Sequence, residues 1–295
     1  MTERATGQSN DRQFCWEQVG KSNRLFRISQ VFAPHQCAEK LLPLYALFSA
    51  VEQICSSISD DDVACSKLNW WRNECLQNVA SKSRHPVMKE LSRTGAINDL
   101  RLESVAELLD GAESRLYPSA PSDVEALKGM CIGLHRPQLE LELGVSGLKG
   151  SMLGFEPGLQ ARNGMLQLIR ESVYRKEQGG FWWVPLNLLA RHGVSREEIV
   201  TDSRSAAVRD LLAEVFTAAE SWGRESDKIS GSGTDDLSPA RHLFAINGLY
   251  SRKLKRLKGI TPDLFAGELG RAVPADLFKA WNCARRLNHH AEHRG

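Results

Sequence analysis

One carboxylate interrupts an apolar helix in the stretch LYALFSAVEQICSSISDDD, residues 44–62. Leu41, Tyr45, Phe48 and Glu52 fall at helical spacing on one stripe, so Glu52 shares its face with two aromatic rings. A carboxylate on such a face must be paired or protonated once it is buried. It suits one oxygen ligand of a divalent cation, or a structural carboxylate bonded to an arginine on a facing helix. Asp60, Asp61 and Asp62 come next, beyond the apolar stripe. Asp is favoured at a helix start, where it accepts from free N–H groups and faces the positive end of the dipole. Capping, rather than metal binding, is the role expected of these three.

A second set lies downstream. Asn163, Gln167, Glu171 and Tyr174 recur at i, i+4, i+8 and i+11 in GLQARNGMLQLIRESVY. This polar stripe either lines a cavity or faces solvent, and periodicity alone leaves both open. Glu171 and Arg175 are spaced for a surface ion pair worth ~0.3–0.5 kcal/mol. In a register one residue later the corresponding pair is Ser172 and Lys176. The run SRKLKRLKG, residues 251–259, holds five bases and is expected to be a solvated helix face. A membrane surface or an acidic partner is the alternative. His289, His290 and His293 read as a solvated tail rather than a metal site.

Helices must position these residues. No segment alternates with β-branched enrichment, so the expected class is all-α. Expected helices cover the stretches from Leu41 through Ile58, VACSKLNWWRNECLQNVAS, HPVMKELSRTG, RLESVAELLDGAESRL, a longer one starting at Ser122 and bending at Pro137, PGLQARNGMLQLIRESVYRKEQGG, SRSAAVRDLLAEVFTAAESWGRES, SPARHLFAINGLYSRKLKRLKG and VPADLFKAWNCARRLN. Pro34 suits the first turn of its helix, and DKISGSGTDD reads as a flexible loop. Trp70 and Trp71 suit the core, with Arg72 as a scaffold ion-pair partner.

Of the 295 residues, 42% are apolar and 25% charged, as in a soluble globular protein. The 38 bases and 36 acids nearly balance, which gives no reason to expect nucleic acid as a partner. No apolar run reaches the roughly 20 residues of a membrane span. The N-terminus reads as neither a secretory signal nor a transit peptide, and the seven cysteines show no C-x-x-C pair. A cytoplasmic protein with reduced thiols is expected, with a peripheral place at a membrane as the alternative. The expected organisation is a polar tail over residues 1–13, one domain over 14–286 and a polar tail over 287–295.

Three stretches, LLPLYALFSAVEQICSS with LNWWRNECL, GLQARNGMLQLIRES, and FWWVPLNLLARHGVSREEI, together resemble the squalene/phytoene synthase family from about Phe14 to Arg286. The resemblance implies an isoprenoid synthase fold, a helical bundle around a central cavity. It also implies head-to-head joining of two isoprenyl diphosphates, with Mg²⁺ held by two aspartate-rich helices. Tyr45, Phe48, Glu52, Asn163, Gln167, Glu171 and Tyr174 would then line the substrate site.

The chain departs from that pattern. The first acidic motif is reduced to Glu52 and Ser56, with Gln53 in place of another common acid. The second has an acid and a base, or Ser172 and Lys176. The Gly-Arg that the family carries before the proline is Gly179-Gly180-Phe181 here. These departures resemble the aspartate-poor subgroup that includes the phytoene-synthase-like domain of a mitochondrial complex I assembly factor. The expectation is a prenyl-lipid or prenyl-diphosphate binder with impaired or absent catalysis and no metal cofactor. The alternatives are an active prenyltransferase using Glu52, Glu171 and Mg²⁺, and a non-catalytic assembly protein.

Overall fold

The computed structural model describes residues 2–76, 83–148, 157–174, 180–224 and 238–292. Side chains are described from residue 10 onward, without those of 174, 224 and 286–292. Fourteen α-helices lie among the described residues: α1 (Thr2–Ser22), α2 (Phe26–Ser29), α3 (His35–Ser57), α4 (Asp61–Leu76), α5 (Pro86–Arg93), α6 (Leu102–Ser114), α7 (Val124–Val145), α8 (Pro157–Tyr174), α9 (Leu186–His192), α10 (Arg196–Thr201), α11 (Ala206–Arg224), α12 (Arg241–Leu257), α13 (Phe265–Gly270) and α14 (Pro274–Glu292). Short 3₁₀ turns join several of them, and no strand occurs among the described residues.

Local chemistry sets the helix ends. The Asp60 carboxylate accepts from the Val63 N–H at 3.0 Å, which is the capping role expected of it. The long helix starts at Val124 rather than Ser122, with Asp123 as the cap accepting from the Ala126 N–H at 2.9 Å. Pro34 stands at the N-cap of α3 rather than in its first turn. Ser195 and Glu198 form a reciprocal capping box at α10. Gly193, with φ of 61°, closes α9 in the left-handed region, which any side chain would strain.

Helix α3 is buried on nearly every side from Leu41 to Ile54, because α1, α4, α5, α6, α7 and α8 all pack around it. Helix α8 packs most extensively on α7 and also against α11, α12 and α3. Gly164 makes the α7–α8 approach possible, since a Cβ there would run into the Cys131 carbonyl oxygen. All seven cysteines are free, and burial pushes the Cys15 and Cys75 thiols up to about 12.

Two expectations need correcting. The 251–259 run is only partly a solvated face, with Lys255 and Lys258 exposed. Lys253 is buried and donates to the Glu268 and Arg271 carbonyls, while Arg252 pairs with Asp276 at 2.8 Å and Arg256 with Glu268 at 2.9 Å. Acids from α13 and α14 fold back onto these bases and replace their water. Trp70 is exposed and only Trp71 belongs to the core, because neighbours on a helix point about 100° apart. Arg72, as expected, bridges to Asp110 and Glu113 of α6. The 227–236 loop, Arg175 and Lys176 lie outside the described residues, as do the three C-terminal histidine side chains. Residues 2–13 lie in α1 and residues 287–292 in α14.

Candidate functional site

The polar stripe of α8 points inward. Asn163, Gln167 and Glu171 are all at most 3% exposed, so the solvent-facing alternative is ruled out for them. Buried polar groups need partners, and these have them. The Asn163 amide donates to Asn247 of α12 at 2.6 Å and lies 3.1 Å from the His135 imidazole of α7. Gln138 donates to Gln167 at 3.3 Å. Glu171 is bound by the Arg115 guanidinium from the end of α6, and Arg175, its expected partner, lies outside the described residues. The Tyr174 side chain lies outside the described residues.

Glu52 meets α8 at a different residue. Arg170 donates to the Glu52 carboxylate at 2.9 Å, and both side chains are largely buried. Burial works against the Arg170 charge, but the Glu52 carboxylate and the Tyr250 hydroxyl more than offset it and raise its pKa. Tyr250 also accepts from the Asn23 amide at 2.7 Å, which ties α12 to the loop after α1. Tyr45 stacks on Phe26 with centroids 4.1 Å apart, and burial, with the Glu142 carboxylate near, raises the pKa of its hydroxyl. Phe48 is buried beside it. Arg170, which holds Glu52, and Glu171 are therefore successive residues of α8. Each glutamate already faces a guanidinium, which neutralises its charge.

Arg170 also borders a cavity of about 460 Å³. Its walls come from the end of α1, from α8 and from α13, and among the described residues they include Lys21, Arg24, Arg170 and Arg271 with no acidic residue. Such a volume suits a small ligand or headgroup, and four cations around it suit an anion.

Sequence reasoning missed Arg170, Arg115, His135, Asn247, Tyr250 and the cationic rim. A signal for Arg170 was present, since an arginine inside the apolar run LQLIRESV is rarely buried without a carboxylate to meet it. The rim had none, because Lys21 and Arg271 come together only in the folded chain.

Burial pushes the His135 imidazole down from 6.5 to about 4, with Arg170 and Arg162 acting in the same direction and Glu142 against it. As pH falls, the unfolded chain takes up this proton first. Stability should therefore drop between pH 6.5 and 4, by about 3 kcal/mol from this group. The NMR titration of the His135 ring protons checks this, and a midpoint near 6.5 contradicts it.

The sequence profile of the squalene/phytoene synthase family matches residues 19–275. Among solved structures, the fold is similar to a dehydrosqualene synthase, with a TM-score of 0.69 and 14% identity over 97% of this chain and 98% of that one. It is also similar to the squalene synthase of Alicyclobacillus acidocaldarius, with a TM-score of 0.63 and 18% identity over 88% and 95% of the two chains. Among curated relatives, the NADH dehydrogenase (ubiquinone) complex I assembly factor 6 of Bos taurus is 21% identical over 93% of this chain and 83% of its own length. The helical architecture and the family match agree, and the chain belongs to the squalene/phytoene synthase family.

Proposed function

We propose that this protein binds a prenyl diphosphate or a similar anion-headed prenyl lipid and does not condense it. The reading rests on one observation: both candidate metal carboxylates are already held by arginines, Glu52 by Arg170 and Glu171 by Arg115. Ionising a diphosphate needs its charge neutralised, which Mg²⁺ on an acid-rich site supplies in a metal-dependent transferase. This donor set does not fit Mg²⁺, since a cation would have to displace two buried guanidiniums. The cationic cavity supports the binding half of the reading, because its arginines can meet phosphate oxygens directly.

A second reading is favoured by the curated relatives, whose description is that of complex I assembly factors. On that reading the chain acts on a protein partner, with the bound lipid as a structural element.

Binding is tested by calorimetric titration of farnesyl diphosphate without Mg²⁺, with inorganic diphosphate as competitor. Arg271→Met removes a rim cation without breaking the Glu52–Arg170 pair. It should weaken binding by roughly tenfold, the worth of a charge-assisted hydrogen bond. Unchanged affinity would place the ligand elsewhere, and no binding at all would remove the ligand from the proposal. Full competition by inorganic diphosphate would assign recognition to the headgroup alone.

A further inference from the structure

Helix α14 carries an apolar stripe that the fold leaves uncovered. Leu277, Phe278 and Trp281 are 54%, 66% and 42% exposed, at i, i+1 and i+4 on one side of the helix. The adjoining side is used, with Ala280 and Ala284 buried as α14 packs on α12. The two rings lie 6.0 Å apart, and the Arg285 guanidinium sits 4.5 Å over the Trp281 ring. A scattered exposed leucine needs no explanation, but three large apolar side chains on one helical stripe, backed by a stacked arginine, do.

We propose that this face docks on an anionic lipid bilayer, a role independent of the ligand reading above. Charge selects that occupant. Between residues 274 and 285 the only acid is Asp276, which is buried and bound by Arg252 at 2.8 Å, so no exposed acid lies on this stretch of the helix. Cations flank it. Arg285 lies on α14 itself, over Trp281, and Arg271 stands three residues before its start. Arg24, beside α2, donates to the Gly270 carbonyl at 3.2 Å, and α2 packs on α14.

Tryptophan and phenylalanine above a belt of arginines match the boundary between acyl chains and anionic headgroups. The rings enter the apolar layer and the guanidiniums meet phosphates. Arg24 and Arg271 also line the cavity, so the docking face adjoins the cavity rim. No helix among the described residues is long and apolar enough to cross a membrane, so this contact is one of surface attachment.

Flotation of the full chain with vesicles tests the proposal, using phosphatidylcholine alone and phosphatidylcholine mixed about two to one with phosphatidylglycerol. Binding to the mixed vesicles alone is expected, weakened by added salt. The double variant Phe278→Ser, Trp281→Ser should lose at least about tenfold in vesicle affinity, from the lost apolar insertion. Because both residues are exposed, its thermal midpoint should not fall. The single variant Arg285→Glu, which leaves the rings in place, should also weaken binding. Equal binding by the double variant overturns the proposal, as does binding that ignores lipid charge. A chain that ignores both vesicles but dimerises through Phe278 and Trp281 also overturns it and makes the face a contact between copies. The Arg271→Met ligand titration is unaffected by the double variant, so the two readings fail separately.

Discussion

Replacing Arg115 with methionine is expected to destabilise the protein by about 3–5 kcal/mol, the usual cost of removing one partner from a buried ion pair. The Glu171 side chain is 1% exposed, and its second oxygen has no partner among the described residues. Without the guanidinium, a carboxylate stays in the interior with nothing to neutralise it. It must then ionise unpaired or take up a proton, and both weaken folding at neutral pH. The Nε–H bond of Arg115 to the Gly111 carbonyl at 3.1 Å is lost as well. Adding Glu171→Leu to the variant should recover most of the loss, because an apolar pair of similar volume often replaces a buried ion pair at little cost. Urea unfolding of the parent, the single variant and the double variant gives the comparison. A single variant within 1 kcal/mol of the parent would mean that Glu171 is not held as a buried charge, on the roughly 0–1 kcal/mol scale of exposed pairs.

Most of the fold was legible in the sequence, because helix signals are local. Asp60 capping α4, the helix over Pro86–Arg93 ending before Gly95, and the period of α8 all follow from neighbouring residues. The aromatic and proline pattern around WWVPLNLLARHG carried the family. The burial of α3 on almost every side was not legible. Its stripe pattern describes a helix with one apolar face, while its surroundings are set by six other helices.

The site was half legible for the same reason. Burial of Glu52 followed from its place between aromatic residues, and a facing arginine was among the two roles it could take. That the arginine would be Arg170, one residue before Glu171, requires the α3–α8 crossing. The spacing of Glu171 and Arg175 suggested a surface pair, because i, i+4 neighbours are visible in sequence and Arg115, 56 residues away, is not. The basic run of α12 misled likewise. Its acids, Glu268 and Asp276, lie 15 and 23 residues beyond Lys253, and only the return of α13 and α14 brings them to it.

Incubated with farnesyl diphosphate and Mg²⁺, the protein is expected to keep its ligand intact. An enzyme of ordinary activity would turn over at about 1 s⁻¹ or faster, and the rate here should lie at least about 10⁴-fold lower. The reason is electrostatic. Loss of diphosphate puts negative charge on departing oxygens, and divalent ions stabilise that charge only when carboxylates hold them. Glu52 and Glu171 are engaged by Arg170 and Arg115, and the guanidiniums repel a second cation. The cavity arginines can bind the diphosphate without supplying what two metal ions would, so binding and chemistry separate. The direct measurement follows bound farnesyl diphosphate by native mass spectrometry and released diphosphate by a coupled assay, in one sample with and without Mg²⁺. The account predicts a bound ligand and no Mg²⁺-dependent release. Mg²⁺-dependent release with formation of squalene, presqualene diphosphate or phytoene would contradict it and make the two glutamates a working metal centre.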